Sequence, residues 1–168
     1  MKLAAMEGLY KGEKAAGLVA FGIVNSAKDP GDEQDPFLLG IKIPQLLSLL
    51  ANREIGSFVP GIDDLVFGNS GENIMGVNSM MEKGRIALAD LAEFKEARKN
   101  KSEAVAAAAL ERFRVNKEFI GYGYLNTPEE AVPSVATVFY NFHIMAVLGT
   151  MFPVIFGAFL FFSLQGTV

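Results

Sequence analysis

Residues Ile144 to Leu164 read IMAVLGTMFPVIFGAFLFFSL, a run that is apolar on every face of a helix. The wider segment from Ala131 to Val168 contains no Asp, Glu, Lys or Arg. At a rise of about 1.5 Å per residue, the run is long enough to cross a hydrocarbon core of roughly 30 Å. The alternative is a buried core helix, but such a helix usually keeps a polar stripe. The pattern therefore predicts a transmembrane helix.

The rest of the chain has the composition of a water-exposed body. Hydrophobic residues make up 51% of the 168 residues and the mean hydropathy is +0.28, but most of this excess lies in the last quarter. A net charge of -4 without a dense basic face argues against a nucleic-acid partner. The chain has no Cys and a single His, which excludes disulfides, thiolate metal sites and a multi-histidine centre built by this chain alone. Any metal site would have to be shared with other polypeptide.

We expect a mainly α-helical fold with little sheet and an αα-hairpin in the middle of the chain. Ser79-Met80-Met81-Glu82 has the form of a capping box and predicts a helix that runs to about Arg98. After a short connection, Ser102 can cap a second helix that continues to about Glu118. The side chains predicted to face inward are Ile86, Ala87, Leu91 and Phe94 in the first helix, and Val105, Ala109 and Phe113 in the second.

Shorter elements are predicted in the first half of the chain. Lys2 to Lys11 is interpreted as a short helix, and Gly17 to Val24, GLVAFGIV, as a strand. Pro44 fits the first turn of a helix over Gln45 to Asn52. The side chains that this helix would bury are Leu46, Leu49 and Leu50. The stretch from Gly56 to Gly76, rich in glycine, is predicted to be irregular with little packed core.

Two pairs of side chains near the ends of the chain carry chemistry. Lys2 and Glu7 lie about 140° apart around a helix, so they are interpreted as solvated charges that could converge only on something bulky. His143 and Met145 lie about 200° apart and cannot both face one small ligand. A methionine sulfur suits haem iron. By residue type alone, however, Met145 is interpreted as packing and His143 as an interfacial polar residue.

Short blocks at both ends of the chain resemble one known family. The blocks are Lys2-Leu3-Ala4-Ala5-Met6-Glu7, Phe21-Gly22-Ile23 and Ile41-Lys42-Ile43-Pro44, then Gly121-Tyr122-Gly123, Val132-Pro133 and Phe142-His143-Ile144-Met145. In this order they resemble the quinol-binding loop of cytochrome bd quinol oxidase, subunit I, and the helix that follows it. The resemblance spans essentially the whole chain. It divides the chain into a quinol-binding loop region, residues 1–130, and a transmembrane region, residues 131–168.

The resemblance implies a membrane oxidoreductase that takes electrons from quinol at its outer face and passes them through haem b to haem d, where dioxygen is reduced to water. Lys2 and Glu7 match the family's quinol-binding lysine and glutamate. Glu7 would then be a general base, and Lys2 would bind a quinol oxygen. Met145 matches the methionine that is an axial ligand of the haem b iron. His143 stands where we expect an arginine, and when protonated it could neutralise a haem propionate.

The resemblance also implies the surroundings of the chain. The partners would be the remainder of subunit I, subunit II, membrane lipid and quinol, with no nucleic acid. The location would be the bacterial plasma (inner) membrane, with the loop on the extracytoplasmic side. Because the other haem ligands and transmembrane helices have no counterpart here, we expect a segment of subunit I that is not active alone.

Two rival hypotheses do not use the family. In the first, the chain is a tail-anchored, non-enzymatic helical domain that recognises a protein partner through the αα-hairpin. In the second, it is a soluble helical domain whose last helix is buried in its core. The tail-anchored hypothesis explains the apolar C-terminal helix, but neither hypothesis explains the order of the blocks.

Overall fold

The computed structural model describes residues 1–165, and within them the chain is mainly helical, as the sequence predicts. The helices are α1 Lys2–Glu7, α2 Leu46–Asn52, α3 Ile62–Phe67, α4 Val77–Lys99, α5 Glu103–Asn116 and α6 Val135–Leu164. The strands are β1 Glu13–Lys14, β2 Leu18–Val24, β3 Phe37–Ile43 and β4 Phe58–Val59. Short 3-10 helices cover Ser70–Glu72, Lys117–Tyr124 and Pro128–Ala131.

The longest helix, α6, contains the apolar run from Ile144 to Leu164. Among residues 1–165, the helical region Pro128–Leu164 is the one stretch long and apolar enough to cross a membrane, with a mean hydropathy of 2.2. Its most apolar window has no residue buried against the rest of the chain. An apolar surface of this size is stable in lipid or against other apolar helices. The helix therefore fits membrane anchoring, and it is not a buried core helix of this chain.

Strands β2 and β3 form a two-stranded antiparallel sheet that packs against the beginning of α6. Phe21 lies opposite Ile41, and the register is irregular between Val19 and Phe21. Val19 and Val24 are buried on the face that packs against α6. The predicted strand is confirmed as β2, but its partner β3 was missed. Its sequence, FLLGIKI, is a nearly continuous apolar run that lacks the period-2 alternation by which a strand is recognised.

The stretch predicted to contain little packed core is in fact part of the core, so that prediction was wrong. Residues 56–76 form β4 and α3, and Ile62 and Val66 of α3 are fully buried beside Tyr10 and the alanines of α1. Gly61 makes this packing possible, because a Cβ there would lie 2.2 Å from the carbonyl oxygen of Tyr10. The glycine marks a close contact between two backbones rather than an unstructured loop.

Helix α2 begins and ends within one residue of its predicted bounds, but its buried face was predicted wrongly. Leu47 and Ser48 are buried, whereas Leu49 and Leu50 are exposed. The reason is tertiary, since the Ser48 hydroxyl accepts a hydrogen bond of 2.7 Å from the N–H of Ala16 and donates one to a carbonyl oxygen of the next loop. These bonds turn the serine side of the helix inward.

Helix α4 begins two residues before the predicted capping box. Val77 is its first residue, and Ser79 lies inside the helix, so the capping prediction was wrong. Ile86, predicted to face inward, is 52% exposed, whereas Gly84 is buried. The inner face is set by the 3-10 helix 117–124, whose backbone crosses α4 so closely that a Cβ on Gly84 would lie 2.4 Å from the N atom of Gly123. A face this close to another backbone requires glycine.

Helix α5 packs along α4 after a connection of three residues. Ser102 is at the predicted N-cap position but makes no side-chain capping bond. Ala109 is buried as predicted, whereas Val105 is exposed. Across the pair, the Arg112 guanidinium donates a hydrogen bond of 2.9 Å to the carboxylate of Asp90, which attaches α5 to α4.

Candidate functional site

Glu7 is the last residue of α1 and is one of the most deeply buried side chains, with 2% of its surface exposed. The helix ends there because Gly8 adopts a left-handed conformation with φ of 59°. The Oε2 atom of Glu7 accepts a hydrogen bond of 3.0 Å from the N–H of Val19 in β2. The Oε1 atom is buried and has no hydrogen-bond partner among the described residues. The interpretation of Glu7 as a solvated charge, made from residue type alone, was therefore wrong.

The surroundings of Glu7 act on its proton affinity in opposite directions. Burial raises the pKa of the carboxyl group, because removal from water disfavours the charged form. The hydrogen bond from Val19 and the charge of His143 lower the pKa, but the effect of burial is the larger one. The net result is a carboxyl group that binds a proton more readily than an exposed glutamate.

His143 lies about two and a half turns into α6 and contacts Val19, the strand residue that also bonds to Glu7. Its Nε2 atom lies 2.7 Å from the carbonyl oxygen of Val19, and its Nδ1 atom lies 2.9 Å from that of Phe139. A carbonyl oxygen only accepts, so the ring nitrogen is the donor in the hydrogen bond to Val19. The imidazole also stacks on the Phe139 ring at a centroid distance of 4.0 Å. The ring is thus fixed by three contacts.

Glu7 and His143 therefore bind the N–H and the C=O of one residue, Val19. We call this arrangement the Glu7–Val19–His143 link. Sequence reasoning singled out both side chains but assigned them to different sites, and it missed Val19 and Phe139. No local signal could reveal the link, because Val19 and His143 are 124 positions apart in the chain.

Lys2 lies at the beginning of α1 and is exposed. It makes no hydrogen bond or ion pair with the part of the chain that the structure describes. Since it lies about 140° around the helix from Glu7, the two side chains do not converge. The structure does not bring the two predicted quinol-binding residues together.

Met145 lies on α6 with 62% of its side chain exposed. It is about 200° around the helix from His143, so it faces away from β2. A thioether on this outer surface is accessible to a group held by other polypeptide and is a soft donor that suits haem iron. Residues 1–165 contain no group of three or more His, Cys, Asp or Glu side chains that could hold a metal ion. The assignment of Met145 as a haem ligand therefore stays a prediction, and it requires further ligands from other polypeptide.

A second buried charge was not anticipated from the sequence. The ammonium group of Lys28 bonds to the carboxylate and the backbone oxygen of Asp32, and lies 4.7 Å from the centre of the Tyr10 ring. Asp32 already balances the positive charge of Lys28, so this position does not indicate a binding site for another anion. These contacts hold the turn between β2 and β3, so we assign Lys28 a structural role.

The apolar length of α6 fits membrane anchoring, and the Glu7–Val19–His143 link attaches α1 and β2 to the beginning of this helix. Residues 1–167 match the family described as cytochrome bd terminal oxidase subunit I, so the chain belongs to this family of oxidoreductase subunits. It is 28% identical to cytochrome bd-II ubiquinol oxidase subunit 1 of Escherichia coli (strain K12) over an alignment of 168 residues. The alignment covers 90% of this chain and 29% of that protein. The chain thus spans less than a third of the length of this relative. The family inferred from the short blocks is confirmed.

Proposed function

We propose that this chain carries the quinol-oxidising site of a cytochrome bd-type terminal oxidase, with Glu7 as the group that accepts a proton from quinol. The observation that carries the proposal is the buried Oε1 atom of Glu7, which has no hydrogen-bond partner among residues 1–165. A buried polar atom without a partner is costly unless a ligand or water can bind to it. The relative's name, a ubiquinol oxidase, supports quinol as that ligand.

Oxidation of a quinol to a quinone releases two electrons and two protons. The carboxylate of Glu7 is suited to take one proton from a quinol hydroxyl, because burial raises its pKa and so makes it a stronger base than an exposed glutamate. Its Oε2 atom stays bonded to Val19, so Oε1 is the atom that receives the hydrogen. Lys2 lies on the exposed side of α1, and its ammonium group would donate a hydrogen bond to the second quinol oxygen. The wide angle between the two residues suits a substrate as broad as a quinol ring.

Met145 would hold haem b through its thioether sulfur, together with residues of helices outside this chain. When bound, haem b supplies a one-electron acceptor for the electrons of quinol, and haem d in the full complex supplies the oxygen-reducing centre. A contact between His143 and a haem propionate would replace one of the two bonds that its ring nitrogens make with carbonyl oxygens.

The proposed partners are the remainder of subunit I, subunit II, membrane lipid and quinol. The proposed location is the bacterial plasma membrane with residues 1–130 on the extracytoplasmic side. The family match favours this function over the tail-anchored interaction domain, because it covers both the body and the membrane helix. Activity is expected only in the complete oxidase.

The test is Glu7→Gln in the complete oxidase. We expect quinol-dependent oxygen consumption to fall at least about a hundredfold, because the amide cannot accept the proton. The haem spectrum after chemical reduction should stay unchanged. Asp90→Asn is the matched control, since Asp90 is also a buried carboxylate with one oxygen lacking a partner among residues 1–165, but it lies on α4 and pairs with Arg112 of α5. Wild-type turnover in Glu7→Gln would refute the proposal.

A further inference from the structure

We propose that His143 is a positioning residue for Glu7: it holds the Val19 backbone so that the Val19 N–H fixes one carboxylate oxygen and leaves the other for the substrate. The inference rests on the proposed function of Glu7 and adds a second residue to its site. It gives His143 a role towards the proton acceptor rather than towards a haem propionate.

The geometry of a strand makes Val19 a suitable connector. In an extended chain the N–H and C=O of one residue point to the same side, so both polar groups of Val19 point in one direction. Val19 itself is buried, with 2% of its surface exposed, and both groups are bonded to side chains: the N–H to Glu7 at 3.0 Å and the C=O to His143 at 2.7 Å. The irregular register between Val19 and Phe21 lies at the same point of β2. Such irregularities are frequent beside active sites, where they redirect the backbone.

His143 can act as an anchor because its own position is determined independently of Glu7. Phe139, one turn earlier on α6, supplies both the carbonyl oxygen for Nδ1 and the ring on which the imidazole stacks. Phe139 is fully buried and packs against Phe37 of β3 at a centroid distance of 5.3 Å. Loss of the His143 donor would leave the buried Val19 carbonyl without a partner and release this part of β2 from α6.

Few other charged or titratable groups surround the link. Strand β2 contains none, and the other titratable side chain of α6 is Tyr140, whose hydroxyl oxygen accepts a bond of 3.1 Å from the N–H of Val24. On α1, Lys2 is exposed. On β3, Lys42 stands opposite Val19 and is exposed. A change in the pH dependence of turnover on replacing His143 would therefore report on Glu7.

The experiment compares His143→Leu and His143→Gln in the complete oxidase. Leucine removes the donor at similar size, whereas glutamine keeps an N–H that can reach the Val19 carbonyl. We expect His143→Leu to lower quinol turnover about tenfold to a hundredfold. We also expect the acid limb of its pH profile to move to higher pH, since the hydrogen bond from Val19 lowers the pKa of Glu7 and would be weakened in this variant. His143→Gln should recover most of the turnover.

Two further measurements separate this inference from the proposed function. In the double variant Glu7→Gln, His143→Leu, we expect no further loss beyond that of Glu7→Gln, because His143 acts through Glu7. A multiplicative loss would overturn the positioning role. A second outcome would also overturn it: His143→Leu loses turnover and the haem b signal together, while its pH profile stays unchanged. That result would assign His143 to the haem. If Glu7→Gln is impaired but His143→Leu is not, only the positioning inference fails.

Discussion

Replacing Gly84 by alanine tests how closely α4 and the 3-10 helix 117–124 approach each other. A Cβ on Gly84 would lie 2.4 Å from both the Gly123 N atom and the Phe119 carbonyl oxygen, about 1 Å closer than the 3.4 Å of ordinary contact. Both neighbours are backbone atoms, so no side-chain rotation can relieve the overlap. Overpacking of this kind costs about 1–3 kcal/mol, and we expect about 3 here. The better helix propensity of alanine offsets about 1 kcal/mol, which leaves a net loss of about 2 kcal/mol.

Hydrogen exchange measures this loss directly. A reduction of about 2 kcal/mol in the free energy of local opening corresponds to exchange about 30-fold faster for amides of residues 117–124. The matched control is Gly121→Ala, in the same 3-10 helix, where a Cβ would meet nothing within 4 Å. We expect that variant to exchange at the wild-type rate or slightly more slowly. Equal exchange in Gly84→Ala and Gly121→Ala would refute the argument from close backbone contact.

The remaining predictions concern the redox site of the complete oxidase. Because a base acts when deprotonated, quinol turnover should rise as the pH increases through the pKa of Glu7. Burial raises this pKa, so the increase in turnover should occur at a higher pH than for an exposed glutamate. The residual turnover of Glu7→Gln should lack this acid limb, and an unchanged limb would show that another group titrates. Met145→Ala should abolish the low-spin haem b signal in the reduced absorption spectrum, whereas Met151→Ala, also exposed on α6, should leave it intact. An intact signal in Met145→Ala would show that the thioether is not a ligand.

Sequence patterns predicted the helices and strands well where interactions between neighbouring residues determine them. Strand β2 and helix α2 were found within one residue, because apolar runs bounded by glycine, proline or polar residues limit where regular structure can form. The buried faces were predicted less well. Leu50 and Ile86 are exposed although periodicity placed them inward, since Ser48 and Gly84 make the closer contacts.

Strand β3 and the core of residues 58–67 were missed for a related reason. Their apolar residues have no distinctive period, and their structure depends on partners far away in the sequence. Strand β3 pairs with β2, and residues 58–67 pack against the region around Tyr10. A strand that gains its stability from a distant partner leaves little trace in its own sequence.

The sequence by itself determined the membrane helix and the family. An uncharged run of more than twenty apolar residues has few stable environments other than lipid, and the order of several short blocks is specific to a family. Only the tertiary structure decided the state of the site residues: that Glu7 is buried, that Lys2 is not beside it, and that His143 is bonded to Val19. Burial of a charged side chain depends on which distant segments cover it, and local periodicity contains no record of contacts between residues 124 positions apart.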